Sequence, residues 1–193
     1  MIKSFDQIYK NNVWGSSGTG SRYTTDNVKL VKYIDLVVKK NNIKTVCDFG
    51  CGDFQIMKHL DFENIKYTGI DIVEFIIKTN IENYKHDNID FKNTYDKVEN
   101  FDLVIIKDVL QHHTDYFVIN KLQQLIDDNK FVFCINGYKF QRDKTKNDWN
   151  RRSIDNLYRY HPLSSDKHPL DKFTQFEIEK YTHRCKEYIL YKK

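Results

Sequence analysis

A chain of 193 residues, 40% hydrophobic and 15% aromatic, suits one domain with one sizeable core, and none of its apolar runs approaches the ~18 residues of a membrane span. The net charge of +4 is modest, and the pI of about 8.7 lies below the range of dedicated nucleic-acid binders. MIKSFDQIYKNNVWG lacks the apolar stretch of a secretory signal, and Cys47, Cys51, Cys134 and Cys185 form no CxxC pair, so buried thiols in a reducing, cytoplasmic compartment are expected and no metal site.

In chain order, WGSSGTGS (14–21) places Gly15, Gly18 and Gly20 ahead of the first helix pattern. DNVKLVKYIDLVVKK (26–40) predicts a helix with Asp26 as N-cap and Val28, Val31, Ile34, Leu36 and Val38 on its apolar side. IKTVCDF (43–49) reads as a strand, and QIMKHL after it has helical spacing. IKYTGID (65–71) is the next strand, followed by VEFIIKTNIENY with Phe75, Ile76 and Ile81 near a helical period. IDFKNTY (89–95) and FDLVIIK (101–107) are strands. DYFVINKLQQLIDD then carries Phe117, Val118, Leu122, Leu125 and Ile126 on one helical face, ahead of the strand KFVFCIN (130–136). The following stretch has no clear period and holds both prolines. A connection that long inside a compact domain is usually functional or disordered, and its interleaved aromatics argue against plain disorder. FTQFEIEKY (173–181) and CKEYILYKK (185–193) close the chain as two strands linked through THR.

Strands alternating with helices imply βαβ units and a parallel sheet. VIIK and VFCI are apolar nearly throughout, as strands covered on both faces should be. The expected class is α/β with helices on both faces. One domain is expected, with an arm (1–25), a core (26–136), an insertion (137–172) and a closing hairpin (173–193).

VCDFGCGDFQ (46–55) sits where the first strand ends, and there ligands bind in open α/β sheets. Gly50 and Gly52 let the backbone approach a ligand. The dinucleotide fingerprint needs a third glycine for close helix packing, and Gln55 stands in its place. The absence of GKS or GKT excludes a P-loop. Asp71 ends the second strand nineteen residues after Gly52, placed to accept hydrogen bonds from a ribose hydroxyl pair. A nucleoside cofactor without a diphosphate fits both facts. A structural turn followed by a chance acid is the alternative.

DFGCGDF resembles motif I of the class I S-adenosylmethionine-dependent methyltransferases, and IDIVEF resembles their second motif. KDVLQHH (107–113) and WGSSGTGS resemble segments of a set of small enzymes in that family, so the resemblance covers about residues 13–136. It implies a Rossmann-like, mostly parallel seven-stranded sheet with a C-terminal antiparallel hairpin, and S-adenosylmethionine as cofactor. It places Asp48, Gly50 and Gly52 at the amino-acid half of the cofactor, and Asp71 and Ile72 at its nucleoside. Asp108 would lie near the cofactor's ammonium or the acceptor. His112 is the first choice for general base, a role that suits imidazole near pH 7, and His113 the second. Trp14, Gly18 and Ser21 would belong to a cofactor lid, the alternative being a plain N-terminal arm.

The segment 139–172 carries nine Lys or Arg against five Asp, the whole +4 excess. Arg142, Arg151, Arg152 and Arg159 have the forks to recognise phosphate or carboxylate, unless they form only a solvated basic loop. His161 and His168 are further candidates for acceptor-side bases. The leading expectation is methyl transfer to a small-molecule acceptor with an anionic handle, a sugar or nucleotide-sugar hydroxyl, which would make the enzyme part of glycan biosynthesis. One alternative is an RNA 2′-O-methyltransferase using a Lys-Asp-Lys-Glu set, with Asp108, Lys139, Glu187 or Glu177, and Lys29 or Lys32. The other is a non-catalytic partner subunit that only binds the cofactor.

Overall fold

The computed structural model describes residues 5–12, 17, 21, 24–95, 97–137 and 163–193. Four α-helices are described: α1 (Phe5–Lys10), α2 (Thr25–Lys40), α3 (Glu74–Tyr84) and α4 (Asp115–Asp128). Seven strands form one sheet: β1 (Thr45–Phe49), β2 (Lys66–Asp71), β3 (Ile89–Asn93), β4 (Leu103–Lys107), β5 (Phe131–Gly137), β6 (Glu177–His183) and β7 (Lys186–Lys192). Their order is β3-β2-β1-β4-β5-β7-β6. β1 to β5 pair in parallel, and β7 enters antiparallel between β5 and β6. This is the mostly parallel sheet with a reversed final hairpin that the family resemblance implied. No described helix is long and apolar enough to cross a membrane.

Period-two alternation along each strand divides the core into two layers. Val46 of β1, Tyr67 of β2, Ile105 of β4 and Phe133 of β5 pack on one face with Leu30, Ile34 and Val37 of α2 and Ile77 of α3. Cys47, Phe49, Val104, Ile106 and Val132 pack on the other with Val118, Leu122 and Ile126 of α4. Both faces of β4 are therefore covered, and its residues Leu103 to Ile106 are all buried.

Several local expectations are corrected. Thr24, not Asp26, caps α2, its side chain accepting from the Asn27 N–H. Asp26 pairs instead with His183 and Arg184 at the β6–β7 turn. α2 buries Leu30, Val31, Ile34, Val37 and Val38, which leaves Leu36 64% exposed. α3 likewise turns Ile76, Ile77 and Asn80 inward and leaves Phe75 and Ile81 exposed. QIMKHL forms only a 3-10 turn, Met57–His59. Phe54, buried at φ +59°, fixes the approach of this stretch inside a cluster with Tyr67, Tyr84 and Phe91. The start of FTQFEIEKY is a 3-10 turn as well, spanning Leu170–Phe176, because Leu170 and Phe173 at three-residue spacing both bury against the α4 side. Cys185 sits in the tight turn between β6 and β7 rather than in a strand.

Candidate active site

The carboxyl ends of β1, β2 and β4 meet at the glycine turn. The N–H groups of Gly50 and Cys51 both donate to the Ile70 carbonyl at 2.9 and 3.0 Å, which ties the turn to β2. Gly50 and Gly52 adopt φ of +79° and +53°, the region that favours glycine. A Cβ on Gly50 would overlap the Val109 side chain just after β4. A Cβ on Gly52 would come 2.5 Å from Ser17 Oγ.

The Gly52 peptide is clamped from both sides. Its N–H donates to Asp71 Oδ2 at 3.1 Å, and its carbonyl accepts from Asn80 Nδ2 at 2.8 Å. The second Asp71 oxygen accepts from the Val73 N–H at 3.0 Å. Burial pushes the Asp71 carboxyl up, and the N–H groups of Val73 and Gly52 pull against it. Ile72, the next residue, is exposed. Asp48 is buried one strand away and accepts from the Tyr67 hydroxyl at 2.7 Å. Burial raises its carboxyl to about 6, against the hydrogen bond from Tyr67 and the charge of Lys107.

Asp108 leaves β4 at φ +59°, with its N–H on the Ile135 carbonyl at 2.9 Å. Its carboxylate lies between two ammonium groups. Oδ2 accepts from Lys107 Nζ at 2.8 Å, and Oδ1 accepts from Lys186 Nζ of β7. Burial alone would raise the carboxyl, but the two lysines outweigh it and hold it at about 2. A carboxylate held so low is a poor proton acceptor.

A 3-10 turn, Leu110–His112, carries the chain from Asp108 to α4, whose cap is Thr114. His113 stacks on Phe117 at 3.9 Å between ring centroids, with Tyr95 at 6.2 Å. Burial and the neighbouring His112 lower it to about 4, so it is neutral at pH 7 and weakly basic. His112 meets Phe5 of α1 edge to face, with centroids 5.4 Å apart.

The structure thus brings Asp48, Gly50, Gly52, Asp71, Asp108, His112 and His113 to one end of the sheet. Ser21 is described and partly buried. Trp14, Gly18, Lys139, Arg142, Arg151, Arg152, Arg159 and His161 lie outside the described residues. His168 faces Asp115 and Asp171 at 3.6 and 3.9 Å. Sequence reasoning missed Tyr9, Ser17, Asn80, Lys107 and Lys186. Asn80 left one usable trace, a polar residue four after Ile76 on the buried side of a helix. Phe5, Ile8 and Tyr9 left another, the i, i+3, i+4 spacing of a helix face.

No family model matches the chain, and no curated protein matches it. Solved structures do. The methyltransferase domain of bacterial CtHen1 is 12% identical with a TM-score of 0.64, covering 86% of this chain and 99% of that one. Magnesium protoporphyrin IX methyltransferase from Synechocystis PCC 6803, solved with bound SAH, is 17% identical with a TM-score of 0.58, covering 84% and 80%. The N-methyltransferase NodS from Bradyrhizobium japonicum WM9 is 12% identical with a TM-score of 0.59, covering 87% and 97%. The likeness at these identities is one of fold, and the fold is that of the class I S-adenosylmethionine-dependent methyltransferases.

Proposed function

We propose that this chain, which has the class I methyltransferase fold, binds S-adenosylmethionine at the Gly50–Gly52 turn and transfers its methyl group to a small-molecule acceptor. The observation that carries the proposal is the clamped Gly52 peptide beside Asp71. Two left-handed glycines on either side of Cys51 bring the backbone of the turn against β2, and a carboxylate ends that strand. The Asp71 carboxylate accepts from the backbone N–H groups of Val73, Gly52 and Ile72, which leaves one of its roughly four acceptor sites for a ribose hydroxyl. Gln55 hydrogen-bonds Asp53, Tyr84 and Lys58 instead of lying under a helix, so nothing here builds a diphosphate cradle. The donor set therefore fits a nucleoside held by its ribose.

The bound cofactor supplies a methyl group already activated on sulfonium. The chain's own residues then have to align the acceptor, exclude water and take a proton. His112, at the rim beyond Asp108, is the residue proposed to take it. The Lys107–Asp108–Lys186 set fixes the charge pattern beside it. Ile72 lies against the nucleoside in this proposal, and the N-terminal arm carrying Trp14, Gly18 and Ser21 covers the cofactor. Within the segment 138–162, Arg142, Arg151, Arg152 and Arg159 are proposed to hold an anionic acceptor, a sugar or nucleotide-sugar whose hydroxyl is methylated. The RNA reading needs a glutamate beside Asp108. Of the two glutamates it could use, Glu187 is bonded to the Ser165 N–H and hydroxyl and Glu177 lies near Lys180, and its Lys139 falls outside the described residues.

Titration of S-adenosylhomocysteine by calorimetry tests the cofactor assignment. Saturable binding is expected, and no heat at millimolar ligand would overturn it. A screen of tritiated methyl transfer onto sugar nucleotides, small metabolites and RNA then identifies the acceptor.

A further inference from the structure

α1 is only six residues long, yet it touches both halves of the site. Phe5, Ile8 and Tyr9 share one face by their i, i+3, i+4 spacing, and Asp6, Gln7 and Lys10 point outward. Ile8 is 1% exposed, so the face is seated on the protein. At one end Phe5 lies edge to face against His112. At the other end the Tyr9 hydroxyl and Ser17 Oγ are 2.7 Å apart. Ser17 is tied in turn to the glycine turn. Its N–H donates to Asp53 Oδ2 at 3.1 Å, and its Oγ accepts from the Asp53 N–H at 2.9 Å. That Oγ is also the atom that a Cβ on Gly52 would meet first.

A helix this short has no stability of its own, because nucleation costs more than one turn of hydrogen bonds returns. The contacts at its two ends hold it together, and releasing one end releases the other. The end at Ser17 senses the cofactor turn, and the end at Phe5 restrains the ring of the proposed base.

We propose that α1 couples the cofactor turn to the base: seating Tyr9 and Ser17 over Gly52 places Phe5 against His112, and Phe5 is the positioning residue that orients the imidazole. The proposal rests on reading the glycine turn as the cofactor site and His112 as the base. The coupling makes the base competent only when the turn beside it is covered.

Histidine-labelled NMR on the full chain tests the coupling, with the His112 ring resonances assigned through His112→Gln. Phe5→Leu keeps the apolar volume and removes the ring edge. Ser17→Ala breaks the tie at the cofactor end and leaves Phe5 intact. Both variants are expected to move the His112 ring shifts and its titration in the same direction. S-adenosylhomocysteine affinity is expected to fall in Ser17→Ala and, because the coupling is reciprocal, to fall as well, by less, in Phe5→Leu, with Phe5→Tyr restoring both the affinity and the wild-type His112 signature. An unchanged His112 signal in Ser17→Ala overturns the coupling, and an unchanged His112 signal in a folded Phe5→Leu overturns the positioning role. A wild-type protein that fails to bind S-adenosylhomocysteine overturns the cofactor assignment instead, while the His112 comparison can still be made on the ligand-free proteins.

Discussion

The side-chain amide of Asn80 holds the Gly52 carbonyl at 2.8 Å from the buried face of α3. Asp71 holds the N–H of the same residue, so Gly52 is fixed at both its backbone polar atoms. Asn80→Ala leaves a buried carbonyl without this donor, at a cost of about 1–3 kcal/mol. Urea denaturation should show the loss, and S-adenosylhomocysteine should bind more weakly to the loosened turn. Unchanged stability and unchanged affinity together would refute the clamp.

Asp71 and His112 should separate by function. Asp71→Ala is expected to weaken S-adenosylhomocysteine binding severely, because the carboxylate holds the turn and, in the proposed site, would accept from the ribose. His112→Ala is expected to spare binding and lower turnover by about 10²–10⁴-fold, the usual contribution of a positioned base. Calorimetry and turnover on each variant check the division, and equal loss of binding in both would contradict it.

The Asp48 carboxyl, raised by burial to about 6, makes stability depend on pH. A raised acid favours the fold below its unfolded value of ~3.9, and that contribution is lost as pH rises through 6. The gap of ~2 units corresponds to about 3 kcal/mol. Asp48→Asn cannot ionise and keeps an oxygen for the Tyr67 hydroxyl. Its stability relative to wild type should improve by about 3 kcal/mol between pH 4 and pH 8 in urea denaturation. Parallel pH profiles for the two proteins would show that Asp48 carries no such penalty.

Asp108 has the opposite sign. Its carboxyl is held at about 2, so its contribution is present above pH ~4 and lost as pH falls toward 2. Lys186→Met removes one of its two ammonium partners and should cost about 1–3 kcal/mol near neutral pH. Acid unfolding of the variant should also begin at a higher pH than in wild type. Circular dichroism across an acid titration measures both, and coincident curves would deny Lys186 its role.

The central strands were legible because they are covered on both faces and therefore apolar through most of their length, whereas the edge strand β6 buries no residue fully. β4 and β5 are the clearest cases. Helix faces were less legible, since α2 and α3 offer more apolar residues than the sheet can cover, and the rotation that buries Val37 leaves Leu36 outside. Asp48, the glycines and Asp71 could be read because their spacing is local to one βα turn and the strand that follows. Lys186 could not be. It reaches Asp108 only through the antiparallel register of β7 on β5, where it stands opposite Gly137. Asn80 and Ser17 were hidden for a similar reason, as each binds a backbone atom and the sequence names no backbone partners.

The placement of β7 also has a consequence for the order in which the chain can be built. β5 has β4 on one side, and its other neighbour arrives only after the long segment that follows Gly137 and the whole of β6. A nascent chain that has completed β1 to β5 therefore presents the open edge of FVFCI, an apolar template for strand pairing with another chain. Asp108 waits 78 residues for its second lysine during the same interval. The closing hairpin fills both gaps at once, so protection of the β5 edge and completion of the Lys107–Asp108–Lys186 set arrive in a single folding event.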